Sequence, residues 1–446
     1  MMLGPAAAAI IDRAATTALT NVAAPGISIT VARDGEIVYA KGFGVRDVTT
    51  RAPFDPATIF PLGPITKQFT AAAIELLRAS GKLSLDARVS AYLPNAPHAS
   101  EIRVRDLLRE TSGLPEYLDG DITGIVTSAT ITPGQLLATV ANEPLHFAPG
   151  TRYEASGTNY VALGAIVEAL SGASYADFIH RSIAIPLGLE TLTFGPPGTD
   201  AHLATGYGVA QADSPVVAWT PQSTYAAGGL YASAPDIVKW DSAFFGYRLL
   251  PKAIVDEMTG PFTLPDGSQS DYGAGSFVDT IEHRSYVCQH GGIPGTSTMN
   301  CWLPELHAAI VIFGNTLGFD PSEVLRASVR ALDPAPAATA SEDAADTARA
   351  RAEYAAWETG TIDLRRYSPD MQALIASPAA IDLNKRLKAA GDPTAFTFEG
   401  RDDVPGGIAH HYRVDAPNAA YDMTLTYSAT GIIVQINFTR LVTGPS

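Results

Sequence analysis

Residues 60–83 read FPLGPITKQFTAAAIELLRASGKL. The first residues, rich in Pro and Gly, predict a loop. From Thr66 the pattern turns helical, with Thr70, Ala71, Ala73, Ile74, Leu76 and Leu77 at contact spacing and Gly81 as the stop. Lys67 sits one turn into this segment and faces the same way as position 64. A hydroxyl at position 64 would lie where the lysine amine could take its proton. Position 64 is proline.

Outward from this stretch the framework is regular. Gly26–Ala32 and Glu36–Gly42 alternate as strands, and Asp34–Gly35 between them is a hairpin turn. Thr111–Tyr117 reads TSGLPEY, preceded by Glu110. Pro149–Gly150 opens PGTRYEASGTNYVALGAIVEALSG, whose part from Tyr160 to Leu170 is an apolar helix closed by Gly172. Residues 118–146 read as a helical insert, and residues 190–225 as loops of the kind that roof a pocket. Tyr272–Asp279, Tyr286–His290, Ser297–Leu303 and Ala308–Asn315 predict strands of one antiparallel sheet, and Ser322–Leu332 a closing helix. Residues 333–347 (DPAPAATASEDAADT) read as a linker. The rest, 348–446, predicts helices near Arg349–Trp357 and Ala379–Ala390 and four alternating runs.

These motifs resemble those of the serine β-lactamase and penicillin-binding-protein superfamily, in its class C β-lactamase, D-aminopeptidase and esterase branch. The resemblance covers roughly residues 10–330. It implies an α/β (α+β) fold: a β-lactamase-like antiparallel sheet flanked by helices plus an all-helical subdomain over about 65–190. The domain division is then 1–332, a linker at 333–347, and a small α+β C-terminal domain at 348–446, of the kind often appended to these hydrolases.

The family site has three parts: S-x-x-K, Y-x-N, and K-T-G or H-x-G. Carried over by motif, Lys67 keeps the base position and Pro64 takes the serine's. Ala155 and Gly157 replace the tyrosine and asparagine, and Glu110 stands where the family has a histidine before T-S-G. The triplet His290, Gly291, Gly292 is intact. Proline offers neither a hydroxyl nor a backbone N–H, so the nucleophile and one oxyanion donor go together. Loss of one such donor costs about 3 kcal/mol in the transition state. Proline is nevertheless tolerated in the first turn of a helix, so the fold can survive the chemistry.

Three functions follow as expectations. The first is a non-hydrolytic enzyme using Lys67, and His290 beside it, for proton transfer on a bulky apolar small molecule, in a pocket widened by the losses at 155 and 157. The second is a pseudoenzyme that binds a ligand or partner. The third is residual hydrolysis through a non-standard nucleophile, for which Ser156 is the serine of the second motif. Glu110 and Glu154 read as solvated loop charges near the cleft. Tyr225, in a segment resembling the family's Gly-Gly turn, is a further site candidate. His410–His411 reads as structural.

Composition narrows the partners. The net charge of −16 over 446 residues disfavours nucleic acid and anionic membranes. No apolar run reaches membrane-spanning length, and the N-terminal stretch reads as an amphipathic helix rather than a leader, which leaves the compartment open. No Cys/His cluster has metal spacing, and no cofactor motif is present. Cys288 and Cys301 flank GGIPGTST on the two arms of one hairpin, where a cross-strand disulfide is geometrically allowed. Two buried free thiols are the expectation.

Overall fold

A computed structural model describes residues 2–22, 24–120, 122–198, 202–208, 215–282, 284–333, 344–376, 378–404 and 407–441. The chain divides into two compact units, Met1–Asp333 and Pro334–Ser446. Within the first, seven strands form one antiparallel sheet. They are β1 (Gly26–Arg33), β2 (Glu36–Asp47), β3 (Ala52–Pro53), β4 (Phe277–Ile281), β5 (Arg284–Gly291), β6 (Ser297–Leu303) and β7 (Ala308–Gly314), in the order β3-β2-β1-β7-β6-β5-β4. Asp34 and Gly35 both take positive φ, the backbone a two-residue hairpin requires.

β7 (AAIVIFG) is buried on both faces. Its Ala309, Val311 and Phe313 enter one core with the long central helix α2 (Thr66–Ala79). Its Ala308, Ile310 and Ile312 enter a second core with α1 (Pro5–Val22) and α4 (Ser322–Leu332). The sheet is therefore a wall between two apolar layers, which is why its central strands are apolar at consecutive positions. On the α2 side, helix α3 (Gly157–Ser171) and short helices fill the region between α2 and Leu187.

α2 begins after a 3-10 turn, Gly63–Ile65, that holds Pro64, and ends before Gly81 at φ +72°. The strand expected from Tyr272 starts only at Phe277. Tyr272 reaches Phe277 through an isolated bridge, and Gly273 and Gly275 interrupt the run. Cys288 and Cys301 stand opposite each other in the β5–β6 ladder and form a disulfide, which corrects the expectation of free thiols.

In the second unit, Ala395–Val404, Gly407–Ala416, Ala419–Tyr427 and Ile433–Leu441 pair consecutively as a four-stranded meander. Helices Ala344–Thr359, Pro369–Ile375 and Pro378–Ala390 accompany it, with Tyr354, Trp357, Tyr412 and Met423 in the core. Of the expected linker, residues 334–343 lie outside the described residues. Residues 344–347 are helical, because the Ala-rich run after Asp343 continues the helix N-terminally.

Candidate active site

The helix Val104–Leu108 ends one residue before Arg109, and Glu110 follows at φ +52°. That left-handed turn directs the Glu110 side chain inward, where it is fully buried. Its Oε1 lies 2.5 Å from Lys67 Nζ, and the Lys67 side chain is itself only 12% exposed. Its Oε2 accepts the Ser156 N–H at 3.2 Å, and its backbone carbonyl accepts the Glu154 N–H at 3.0 Å. The segment 154–156 is thus clipped to Glu110 twice. Glu110 is no solvated loop charge; it is the counter-ion of Lys67.

Aromatic hydroxyls close the group. The Tyr160 ring lies 5.1 Å from Lys67 Nζ, a cation–π contact. Tyr272 Oη is 3.4 Å from Tyr160 Oη and 3.5 Å from Glu110 Oε1, and it accepts the Gln289 Nε2–H at 3.3 Å. Burial, with Glu110 adding to it, pushes both phenols well above their ordinary pKa, so they act as neutral donors.

The other candidates fall at different distances from this group. The Pro64 ring lies on Gly291: a Cβ added at Gly291, whose φ is +148°, would stand 2.6 Å from Pro64 Cγ. Gly157 has not opened space. A Cβ there would meet Tyr117 Cε1 at 2.9 Å and both Glu116 carboxyl oxygens at 3.2 Å. Glu116 also accepts the Gly157 N–H at 2.5 Å, and burial raises its carboxyl pKa. The widened pocket expected from the change at 157 is therefore corrected there: a neighbouring carboxylate and phenol fill the place of a side chain. Ala155 carries no polar atom on its side chain. Ser156 is buried and donates its hydroxyl to the Pro115 carbonyl at 3.1 Å. Glu154 is part-exposed and bound to His146 and Arg152. Tyr225 packs in the core against Tyr175 and Phe194.

His290 stacks on Phe277 at 5.1 Å, and burial lowers its pKa against the opposing pull of Asp320. It shares no hydrogen bond or ion pair with Lys67. Successive strand residues point to opposite faces, and it is Gln289 that turns toward Tyr272. Among the described residues no group of three or more His, Cys, Asp or Glu could hold a metal ion.

Glu116, Tyr117, Tyr272 and Gln289 were missed by motif reading. The one available signal was local: a glycine in place of a polar side chain at 157, with an acid and an aromatic in the partner loop TSGLPEY. Chemically the arrangement holds Lys67 in an ion pair with no hydroxyl nucleophile bonded to it. General-base activation of a serine requires that hydrogen bond.

A family model described as Beta-lactamase matches residues 11–335. A penicillin-binding protein of Bacillus subtilis (strain 168) is 30% identical over 290 residues, 61% of this chain and 64% of its own length. The chain thus spans less than two thirds of that relative. Penicillin-binding protein PbpX of the same organism is 30% identical over 288 residues, 64% of this chain and 69% of its own. Among solved structures, the octameric penicillin-binding protein homologue from Pyrococcus abyssi superposes with a TM-score of 0.67 at 23% identity, covering 98% of this chain and 96% of that one. The D-amino acid amidase from Ochrobactrum anthropi SV3 in complex with D-phenylalanine gives 0.64 at 23% identity, covering 73% and 99%. These likenesses share the sheet, the central helix and the strand that ends in His290-Gly291-Gly292, and on the family-model match the chain belongs to the Beta-lactamase family.

Proposed function

We propose that this chain is a non-acylating member of its family that binds a small molecule without breaking it. The observation that carries the reading is the Lys67–Glu110 pair. Where the family chemistry needs a lysine beside a serine hydroxyl, Lys67 meets a buried carboxylate at 2.5 Å, and position 64 is a proline. The names of relatives and neighbours, penicillin-binding proteins and an amino acid amidase, suggest amino-acid amides or short peptides as the ligand class.

Two exposures test this. Incubation with a fluorescent β-lactam and with a fluorophosphonate, read by intact mass, is expected to leave the chain unmodified. Titration with D-phenylalanine amide is expected to give saturable binding and no ammonia. A covalent adduct, or ammonia released in proportion to enzyme, would overturn the proposal.

The second reading is a proton-transfer enzyme built on Lys67, with His290. The pair itself favours it, since an ammonium and a carboxylate in contact are an acid and a base. Turnover of any ligand that Lys67→Met abolishes would select this reading.

A further inference from the structure

We propose that the cleft beside the His290 hairpin binds a short zwitterionic peptide, its carboxylate on Arg326 and its ammonium on Asp320. This rests on the reading of the chain as a binding protein and names the ligand.

The cleft has a volume of about 520 Å³, within the range of small-molecule sites. One wall is the face of β5 carrying Tyr286, Cys288 and His290. The other is the start of α4 with the loop before it. Neither Lys67 nor Glu110 lines it.

Arg326 supplies the first anchor. Its Nε is buried with no hydrogen-bond acceptor, and the Glu323 carboxylate, 3.6 Å away, is an ion-pair partner beyond hydrogen-bond reach. A buried N–H without an acceptor is costly, and a guanidinium fork suits a carboxylate. Asp320 supplies the second. Its Oδ1 accepts the Ser322 N–H at 2.9 Å, and its charge faces His290. A ligand ammonium there meets an anion.

Spacing then selects the ligand. Asp320 and Arg326 are six residues apart along the start of a helix, roughly 9 Å at 1.5 Å per residue. An extended chain spans about 3.5 Å per residue. The two ends of a di- or tripeptide match that separation, whereas one amino acid carries both charges on a single carbon and reaches only one anchor. Tyr286, Phe319 and Leu325 give the cleft an apolar floor for a side chain. Asp279, also lining the cleft, disfavours a ligand with a second negative charge.

The test is calorimetric titration of the full chain with Ala-Phe, Ala-Phe amide and N-acetyl-Ala-Phe. Wild type is expected to bind Ala-Phe at least about tenfold tighter than either capped form, the loss typical of one charged hydrogen bond. Arg326→Gln should abolish the discrimination against the amide, and Asp320→Asn the discrimination against the acetylated form. Each variant is judged by the ratio of two ligands on the same protein, so lowered stability alone does not mimic the result. On wild type, Ala-Phe should also protect Arg326 from modification by phenylglyoxal. Equal affinities for all three ligands, or an unprotected Arg326, would overturn the proposal. Failure of Ala-Phe to bind a chain that forms no acyl adduct removes the peptide cleft alone. An adduct removes the non-acylating reading.

Discussion

At position 64 a single residue removes two things that serine would bring, a hydroxyl and a backbone N–H. Restoring serine there does not restore the site, because Lys67 is already engaged by Glu110. Pro64→Ser alone is therefore expected to label with a fluorophosphonate on the order of a hundredfold more slowly than Pro64→Ser with Glu110→Gln, the scale of a general-base contribution. Intact mass against time measures both, and equal rates would show that Glu110 does not withhold the base. The same pair has a stability signature. Lys67→Met strands a buried carboxylate, which costs about 3–5 kcal/mol, whereas adding Glu110→Gln removes the charge and should recover most of it. Urea unfolding of the two variants decides this. An additive result would mean that the pair is not coupled. The losses at 64, 155 and 157 were legible because motif spacing fixes those positions. The burial of Glu110 was not, since its place is set by a left-handed turn and a contact 43 residues away in sequence.

Between elements, a polar chain ties α2 to its neighbours. Gln68 donates to Ser276 Oγ at 3.0 Å and accepts from Asn300 of β6 at 3.0 Å. Asn300 in turn donates to Asp241 at 2.9 Å. Asp241 is buried on the helix Ala234–Phe245, and its second carboxyl oxygen has no partner. Burial raises its pKa to about 7, against the pull of Asn300. The folded state thus holds a proton that the unfolded chain releases above about pH 4. Stability from this group is full below that pH and is lost as pH rises toward 7, at up to about 1.4 kcal/mol per pH unit. Asp241→Asn keeps an acceptor for Asn300 and removes the titration. Relative to wild type it should gain on the order of 2 kcal/mol between pH 5 and pH 8 in urea unfolding. A constant difference across that range would place the ionised form in the fold. Elements of this kind were readable in outline: Ser322–Leu332 and the Asp34–Gly35 hairpin follow from periodicity and turn chemistry. The interrupted strand before Phe277 was not, because Tyr272 keeps an apolar, strand-like pattern while serving the Lys67 group.

At the scale of the whole molecule, the apolar clusters do not mix. Every member of the two cores that sandwich the main sheet lies at or before Leu332, and every member of the third lies at or after Ala350. A unit with its own closed core is able to fold alone. The first unit is also the part that the family model covers. Residues 1–333 expressed by themselves are therefore expected to unfold cooperatively at the temperature of one transition of the full chain, within the few degrees that about 1 kcal/mol produces. Calorimetry of the two proteins makes the comparison. A single shared transition in the full chain, well above that of 1–333, would mean that the C-terminal unit contributes contacts on which the first depends. In that case the unit belongs to the stability of the candidate site. If the transitions coincide, both the Lys67–Glu110 pair and the peptide cleft beside His290 are properties of the first 333 residues, and ligand binding should survive truncation with unchanged affinity.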